Sequence, residues 1–344
     1  MLSVFESLPA GFLDSSAQDL YKVLPGPSLF HLRGTQPQPL FVSVLLHGNE
    51  DVGLVAIQEV LKKFGEDSLP RSLSFFIGNV EAAAKGLRRL DHQPDYNRVW
   101  PQTGHHDESA EHRMMCDVYN EMAKRKPIAS IDLHNNTGLN PHYACVNRLD
   151  NRFFHLATLF GRTVVYFIRP HGVQSISFAE ICPSITVECG RAGDKLGYNH
   201  AQELIEALLH ITALPTQPIA PHDIDLYHTI ATVKIPKQFS FSFDGSDADI
   251  QFISEIEHLN FHEIVPGTMI GKIRPGMNLH LEVVDEHGAE VEQQFFEFEN
   301  NELKFSRSLM PSMFTLNEQV VRQDCLCYLM ERYPIAEHQT EIQR

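Results

Sequence analysis

Apolar runs of strand length alternate with segments of helical period between about residues 41 and 214. The runs FVSVLL (41–46), LSFFIGNV (73–80), IASIDLH (128–134), TVVYFIR (163–169) and SITVE (184–188) have few polar interruptions, as strands covered on both faces do. Between them, DVGLVAIQEVLKKFG can set Val52, Leu54, Val55, Ile57, Val60 and Leu61 on one helical face. ESAEHRMMCDVYNEMAKR, NRFFHLATLFGR and HAQELIEALLHITAL share that texture, and Gly65, Pro127 and Pro215 stand where such helices should stop. The pattern predicts an α/β fold with a mixed, largely parallel central sheet and helices on both faces.

Past the Pro-punctuated stretch TALPTQPIAPHD (212–223) the period changes to two, in LYHTIATVKIP, ADIQFISEI, TMIGKI, MNLHLEVV and VEQQFFEFE. A smaller antiparallel β domain is expected there. The division is a first domain over residues 1–215 and a β domain over 219–333, with the last ten residues a polar tail.

Charge narrows the partners. The chain has 28 Lys+Arg against 44 Asp+Glu, a formal net charge of −16, which repels nucleic acid and anionic membrane surfaces. A small anionic substrate would need a local arginine cluster. The N-terminus lacks the basic and apolar regions of a secretory signal, and no run approaches the roughly 18 apolar residues of a membrane helix. Six scattered cysteines, Cys325 and Cys327 included, fit a reducing cytoplasm, and homo-oligomerisation is left open.

The polar residues at strand ends carry the chemistry. His47 and Glu50 in HGNE follow the first strand, and His134 ends the run SIDLH. In open α/β sheets this edge binds ligands, and two imidazoles with one carboxylate suit a catalytic zinc that keeps one position open for water. Asp132 shares a strand face with His134, and a turn is expected at Asn135, Asn136 and Gly138. Glu188 closes the last strand of the set; a glutamate ending an apolar run needs a partner or a function, and beside activated water it can serve as general base. The segment LRRLDHQPDYNRVWP (87–101) reads as a loop carrying Arg88, Arg89, Asn97 and Arg98. An arginine there could stabilise an oxyanion, and an Asn–Arg pair could hold a carboxylate.

The order HGNE, then R-x-L-D-H with D-x-N-R, then DLHN, then VE-x-G resembles the succinylglutamate desuccinylase and aspartoacylase family of zinc carboxypeptidase-like hydrolases, over roughly residues 40–214. The resemblance implies a zinc hydrolase domain with one zinc per chain on His47, Glu50 and His134, and Glu188 as the base. It implies Arg88 as the oxyanion-stabilising arginine, with Arg89 its neighbour in competition. Asn97 and Arg98 would grip the substrate carboxylate, and Asn79 would be structural. The implied reaction is cleavage of the amide of a small, carboxylate-bearing N-acyl amino acid. Two departures stand out: Gln93 and Pro94 lengthen the loop, and Phe178 lies where the family carries a further arginine about ten residues before the base. They favour, as an alternative, a zinc carboxypeptidase acting on short peptides or cell-wall fragments. A metal-dependent binding protein without turnover is a third reading, against which the presence of Glu188 argues.

Overall fold

A computed structural model describes residues 2–65, 69–104 and 108–335. The polar tail from residue 336 lies outside them. The chain divides into two compact units, one of residues 1–135, 142–226 and 334–344, the other of residues 136–141 and 227–333.

The first unit is built on a sheet. Its strands are β1 (Ser3–Phe5), β2 (Ser28–Leu32), β3 (Gly34–Val44), β4 (Leu69–Ile77), β5 (Ala129–Asn136), β6 (Tyr143–Val146), β7 (Thr163–Tyr166) and β8 (Ser184–Arg191), in the spatial order β1-β2-β4-β3-β5-β8-β6-β7. β3 pairs in parallel with both β4 and β5, whereas β2–β4 and β6–β8 are antiparallel. The sheet is therefore mixed and mostly parallel, and the run at its centre is apolar because β3 from Leu40 onward and all of β5 are buried.

The helices are α1 (Val52–Phe64), α2 (Val80–Ala83), α3 (Ala110–Arg125), α4 (Asn151–Thr158), α5 (Gln174–Phe178) and α6 (Lys195–His210). α1 buries the expected stripe, except that Val55 is only partly covered, and it stops at Gly65, whose φ of 72° an L side chain resists. Gly53 brings α1 against the sheet: a Cβ there would lie 2.4 Å from Val44 Cγ1 and 2.9 Å from Leu133 Cβ. α6 begins five residues before the apolar run suggests, because Asp194 accepts from Leu196 N and caps it; the chain is extended again at Ile211, well short of Pro215. On the other side of the sheet Phe41 stacks on Phe178 at 4.5 Å, and Trp100 and Tyr119 meet Phe178 edge-on. Such pairs each add about 0.5–1.5 kcal/mol beyond the area they bury.

In the second unit, β9 (Asp225–Lys234) pairs antiparallel with β13 (Glu282–Asp285) and β17 (Cys327–Arg332), and β17 with β16 (Met310–Ser312). A separate sheet has the order β10 (Phe241–Ser242), β11 (Ile250–Phe252), β12 (Met269–Ile273), β15 (Glu302–Phe305), β14 (Phe296–Glu299). It is antiparallel apart from the short β10–β11 pair. VEQQFFEFE is not one strand: Glu292–Phe295 makes a helical turn, α7, that buries Phe295 before β14 begins. Phe241, Ile250, Phe296, Leu303, Phe305 and Leu329 belong to the unit's own core.

All six cysteines are free thiols. Among the described residues no helix is long and apolar enough to cross a membrane.

Candidate metal centre

β3 ends at Val44, and Leu45 at a φ of 52° turns the chain out of the sheet, so that His47 and Glu50 lie in a tight turn before α1. Glu50 N donates to His47 O, and Gly48 N donates to Arg88 O, which ties the loop of residues 87–101 to this turn. Glu50 thus precedes the helix by two residues and does not open it. Gly48 has to be glycine, since a Cβ would come within 2.2 Å of Ala83 N at α2.

Three donors converge here. His47 Nδ1 is 2.9 Å from Glu50 Oε1, and His134 Nδ1 is 2.7 Å from Glu50 Oε2. Ligand atoms of the three residues all lie within 4.8 Å of one another, and all three residues are buried. The opposite ring nitrogens are held by aspartates: His47 Nε2 donates to Asp95 Oδ1 at 3.0 Å and His134 Nε2 to Asp132 Oδ2 at 2.7 Å. Anchoring Nε2 in this way directs the Nδ1 lone pair toward a shared cation, as the carboxylate–histidine pairs of metal sites do. Asp132 is fully buried, and Ser43 Oγ donates to its other oxygen at 2.6 Å.

Carboxylates dominate the electrostatics of the group. Burial and Arg88 pull the His47 imidazole down, but Glu50 and Asp95 outweigh them and raise it. Burial opposes charge on His134 too, yet Asp132 and Glu50 hold its pKa well above the usual range. Burial pushes Asp95 up, and His47 and Arg88 more than reverse that. Several carboxylates are thereby gathered in a dry pocket where a divalent cation would offset them.

Glu188 completes the group. β8 does not end there: its ladder with β6 closes at the Tyr143–Glu188 pair, and the strand runs three residues further, to Arg191. Likewise β5 continues through Asn136 beyond His134, so Asn135 and Asn136 are strand residues and not a turn. Burial pushes the Glu188 carboxyl up to about 7, partly countered by His134; Glu50 raises it further, while His47 and Arg88 lower it. Its Oε2 is buried with no hydrogen-bond partner among the described residues. A buried carboxylate oxygen left in that state is expensive unless a ligand, water or ion meets it.

Of the two neighbouring arginines, Arg88 belongs to this cluster: its guanidinium bonds Asp95 Oδ2 at 3.0 Å and stands 3.6 Å from Glu50 Oε1. Arg89 is drawn to the carbonyl of Gln93, at 2.9 Å. Gln93 itself is a buried brace, accepting from Asn79 Nδ2 and Leu90 N and donating to Glu81. Asn79 caps α2 through Ala82 N.

Asn97 is 5% exposed and lies beside the donors; Nδ2 bonds Asp132 Oδ2 and lies 3.2 Å from His134 Nε2, and Oδ1 accepts from Gln174 N. Arg98, half-buried next to it, donates to Asn97 O. Phe178, where an arginine would be expected, is fully buried aromatic core. Asp95 is the site residue that sequence reasoning missed; only its place in DYNR, between the arginines, could have suggested it.

An α/β sheet with a buried His–Glu–His donor group, two donors in the turn after β3 and one near the end of β5, defines the class. The profile of the succinylglutamate desuccinylase/aspartoacylase catalytic domain matches residues 38–214, and the chain belongs to that family. Similar solved structures include a succinylglutamate desuccinylase/aspartoacylase from Rhodobacter sphaeroides, with 15% identity, 88% of each chain covered and a TM-score of 0.58. Murine aminoacylase 3 is 16% identical over 87% of this chain and 96% of its own, with a TM-score of 0.55. The product-bound ectoine utilization protein EutE (DoeB) from Ruegeria pomeroyi is 15% identical over 88% and 87%, also with a TM-score of 0.55. At these identities the likeness is one of fold. No curated protein matches the chain.

Proposed function

We propose that the chain is a zinc-dependent amidohydrolase acting on a small, carboxylate-bearing N-acyl amino acid or a related compound. The observation that carries the reading is the convergence of His47, Glu50 and His134 within 4.8 Å, in electrostatic contact with a buried, incompletely bonded Glu188. The names of the structural relatives, a desuccinylase and an aminoacylase, support the substrate class.

His47, Glu50 and His134 would hold the ion, an N,N,O set that suits zinc. Bound zinc supplies Lewis acidity and makes hydroxide accessible near neutral pH. In this reading Glu188 accepts the proton of the attacking water, which its pKa of about 7 suits, and returns it to the departing amine. Arg88, already beside Glu50, stabilises negative charge developing on the carbonyl oxygen. Asp95 and Asp132 keep the two imidazoles in the required tautomer, and Asn97 with Arg98 is the candidate pair for the substrate carboxylate.

Metal analysis of the purified protein, followed by hydrolysis of a panel of N-acyl amino acids and a panel of short peptides, tests the reading. Zinc in about one equivalent and turnover of the acyl panel are expected, with Glu188→Gln keeping the metal and losing turnover. Turnover by Glu188→Gln at the wild-type rate overturns the role of the base, and release of C-terminal residues from peptides alone overturns the substrate class.

A further inference from the structure

A cavity of about 370 Å³ opens beside the amino-terminal half of β3, lined by Glu6, His31, Arg33, Ser72, Ser74 and Arg125. Small-molecule sites occupy roughly 300–1,000 Å³. His47 follows the other end of β3, and at about 3.3 Å per residue the two places are on the order of 20 Å apart. The cavity is therefore separate from the donor cluster.

Its opening has a cause in the backbone. Pro37 and Pro39 also line it, and the β3–β4 ladder shifts register between Gln36 and Leu40. Proline has no N–H to complete a ladder, so the sheet does not close over this stretch.

Nitrogen donors dominate the lining. His31 and Ser74 are paired residues of β2 and β4, with His31 Nδ1 2.8 Å from Ser74 Oγ. The other ring nitrogen, Nε2, is buried and has no hydrogen-bond partner among the described residues, in a side chain only 4% exposed. Arg33 makes no hydrogen bond or ion pair among the described residues. Arg125 gives Nε–H to Glu121 at 2.9 Å, and Glu6 is a distant neighbour of its outer nitrogen at 4.0 Å. Ser72 Oγ accepts from Gly34 N, which leaves its own O–H to donate. A chain with 44 acidic and 28 basic residues repels anions in general; here Glu6 and Glu121 offset Arg125, and Arg33 is a guanidinium with no acidic partner among the described residues.

We propose that this cavity binds a small anion bearing a carboxylate or phosphate group, gripped by the guanidinium groups of Arg33 and Arg125 and hydrogen-bonded by the Ser72 hydroxyl. Guanidinium forks match both oxyanions geometrically, and a donor-rich, partly enclosed pocket strengthens such bonds. The site does not depend on the reaction proposed above.

Isothermal titration of the metal-stripped full chain with inorganic phosphate and, separately, with acetate tests it, since without a cation the His47 cluster offers the probe no Lewis acid. One saturable site is expected with a Kd of about 1 mM or tighter for at least one probe, and which probe binds identifies the group. Arg33→Gln and Arg125→Gln should each weaken binding about tenfold, Glu6→Gln should tighten it by removing a like charge, and His134→Ala should leave it unchanged. Absence of saturable binding for both probes overturns the site, as does a Kd unmoved by both arginine variants or binding lost in His134→Ala. Arg33 is exposed on the surface, so its variant retains the fold and decides the matter alone if Arg125→Gln misfolds.

Discussion

Asn135 donates its side-chain amide to the carbonyl of Gly190 at 3.0 Å, while its carbonyl oxygen accepts from Val52 N at 3.1 Å. One residue next to His134 thereby ties together the start of α1, two residues beyond Glu50, and the end of β8, two residues beyond Glu188. Asn135→Ala leaves a helix-start N–H and a strand carbonyl without partners, so a loss of about 1–3 kcal/mol in stability is expected. Zinc affinity should fall about 10- to 100-fold, measured by competition with a chelator. Asn135→Asp keeps the acceptor for Val52 N but loses the bond to Gly190 and sets a buried carboxylate against that carbonyl, so turnover should drop. Equal zinc affinity in wild type and Asn135→Ala would show that the tie does not position the donors.

Loading the metal centre should stabilise the fold. His47, Glu50 and His134 are brought together only by the fold, so zinc held there would bind the native chain far better than the unfolded one. At a hundredfold excess of free ion over its Kd the gain is about 2.7 kcal/mol, seen as a higher unfolding midpoint that a chelator reverses. His134→Ala should abolish the response. An equal shift in that variant would place the stabilising ion elsewhere.

Arg88 and Arg89 are adjacent but not equivalent. Arg88 contacts Asp95 and Glu50, whereas Arg89 is held by the Gln93 carbonyl. Arg88→Ala should lower kcat about 100- to 1,000-fold, the usual loss on removing an oxyanion donor, with Arg89→Ala near wild type. Gln93→Ala removes the internal brace of the loop and should cost about 1–3 kcal/mol by denaturant titration. Steady-state kinetics in which Arg89→Ala is the more damaging change would reverse the assignment.

Acid should weaken the first unit through His31. Burial, with Arg125 nearby, depresses its pKa from 6.5 to about 4, opposed weakly by Glu121 and Glu6. The unfolded chain takes up a proton near pH 6.5 while the folded one resists until about pH 4, so the contribution of His31 to stability declines as pH falls across that window. His31→Asn should flatten this decline in urea midpoints measured between pH 7 and 4 in weakly interacting buffers. A pH profile that runs parallel to wild type would rule the residue out as its source.

Legibility followed the range of the interactions. β3 and β5 announce themselves because burial on both faces demands unbroken apolar runs, and α1 because a single stripe and Gly65 bound it. His47 and Glu50 were readable because they stand just past such a run, and His134 because it closes one. Asp95 was not: its bond to His47 spans 48 residues and starts from a loop with no period. The bonds of Asn97 to Asp132 and the Gln174 N–H, across 35 and 77 residues, were likewise beyond what sequence can show. β6 is four residues long, too short to carry a pattern, and β8 continues past Glu188 through Cys189-Gly190-Arg191, a stretch with no apolar run to mark it as strand. In VEQQFFEFE the burial of Phe295 favours a helical turn over the strand that the alternation suggested.

For anyone wishing to redesign what this protein recognises, Phe178 is a closed door. The aromatic packing of Phe41, Trp100 and Tyr119 around it leaves no solvent path for a guanidinium, and a charge installed there would sit unpaired in hydrocarbon at a penalty of several kcal/mol. Substitution is easier at the exposed positions of the irregular segment 87–101, Leu87, Asp91 and His92, than at Tyr96, Val99 or Trp100, which belong to that same interior.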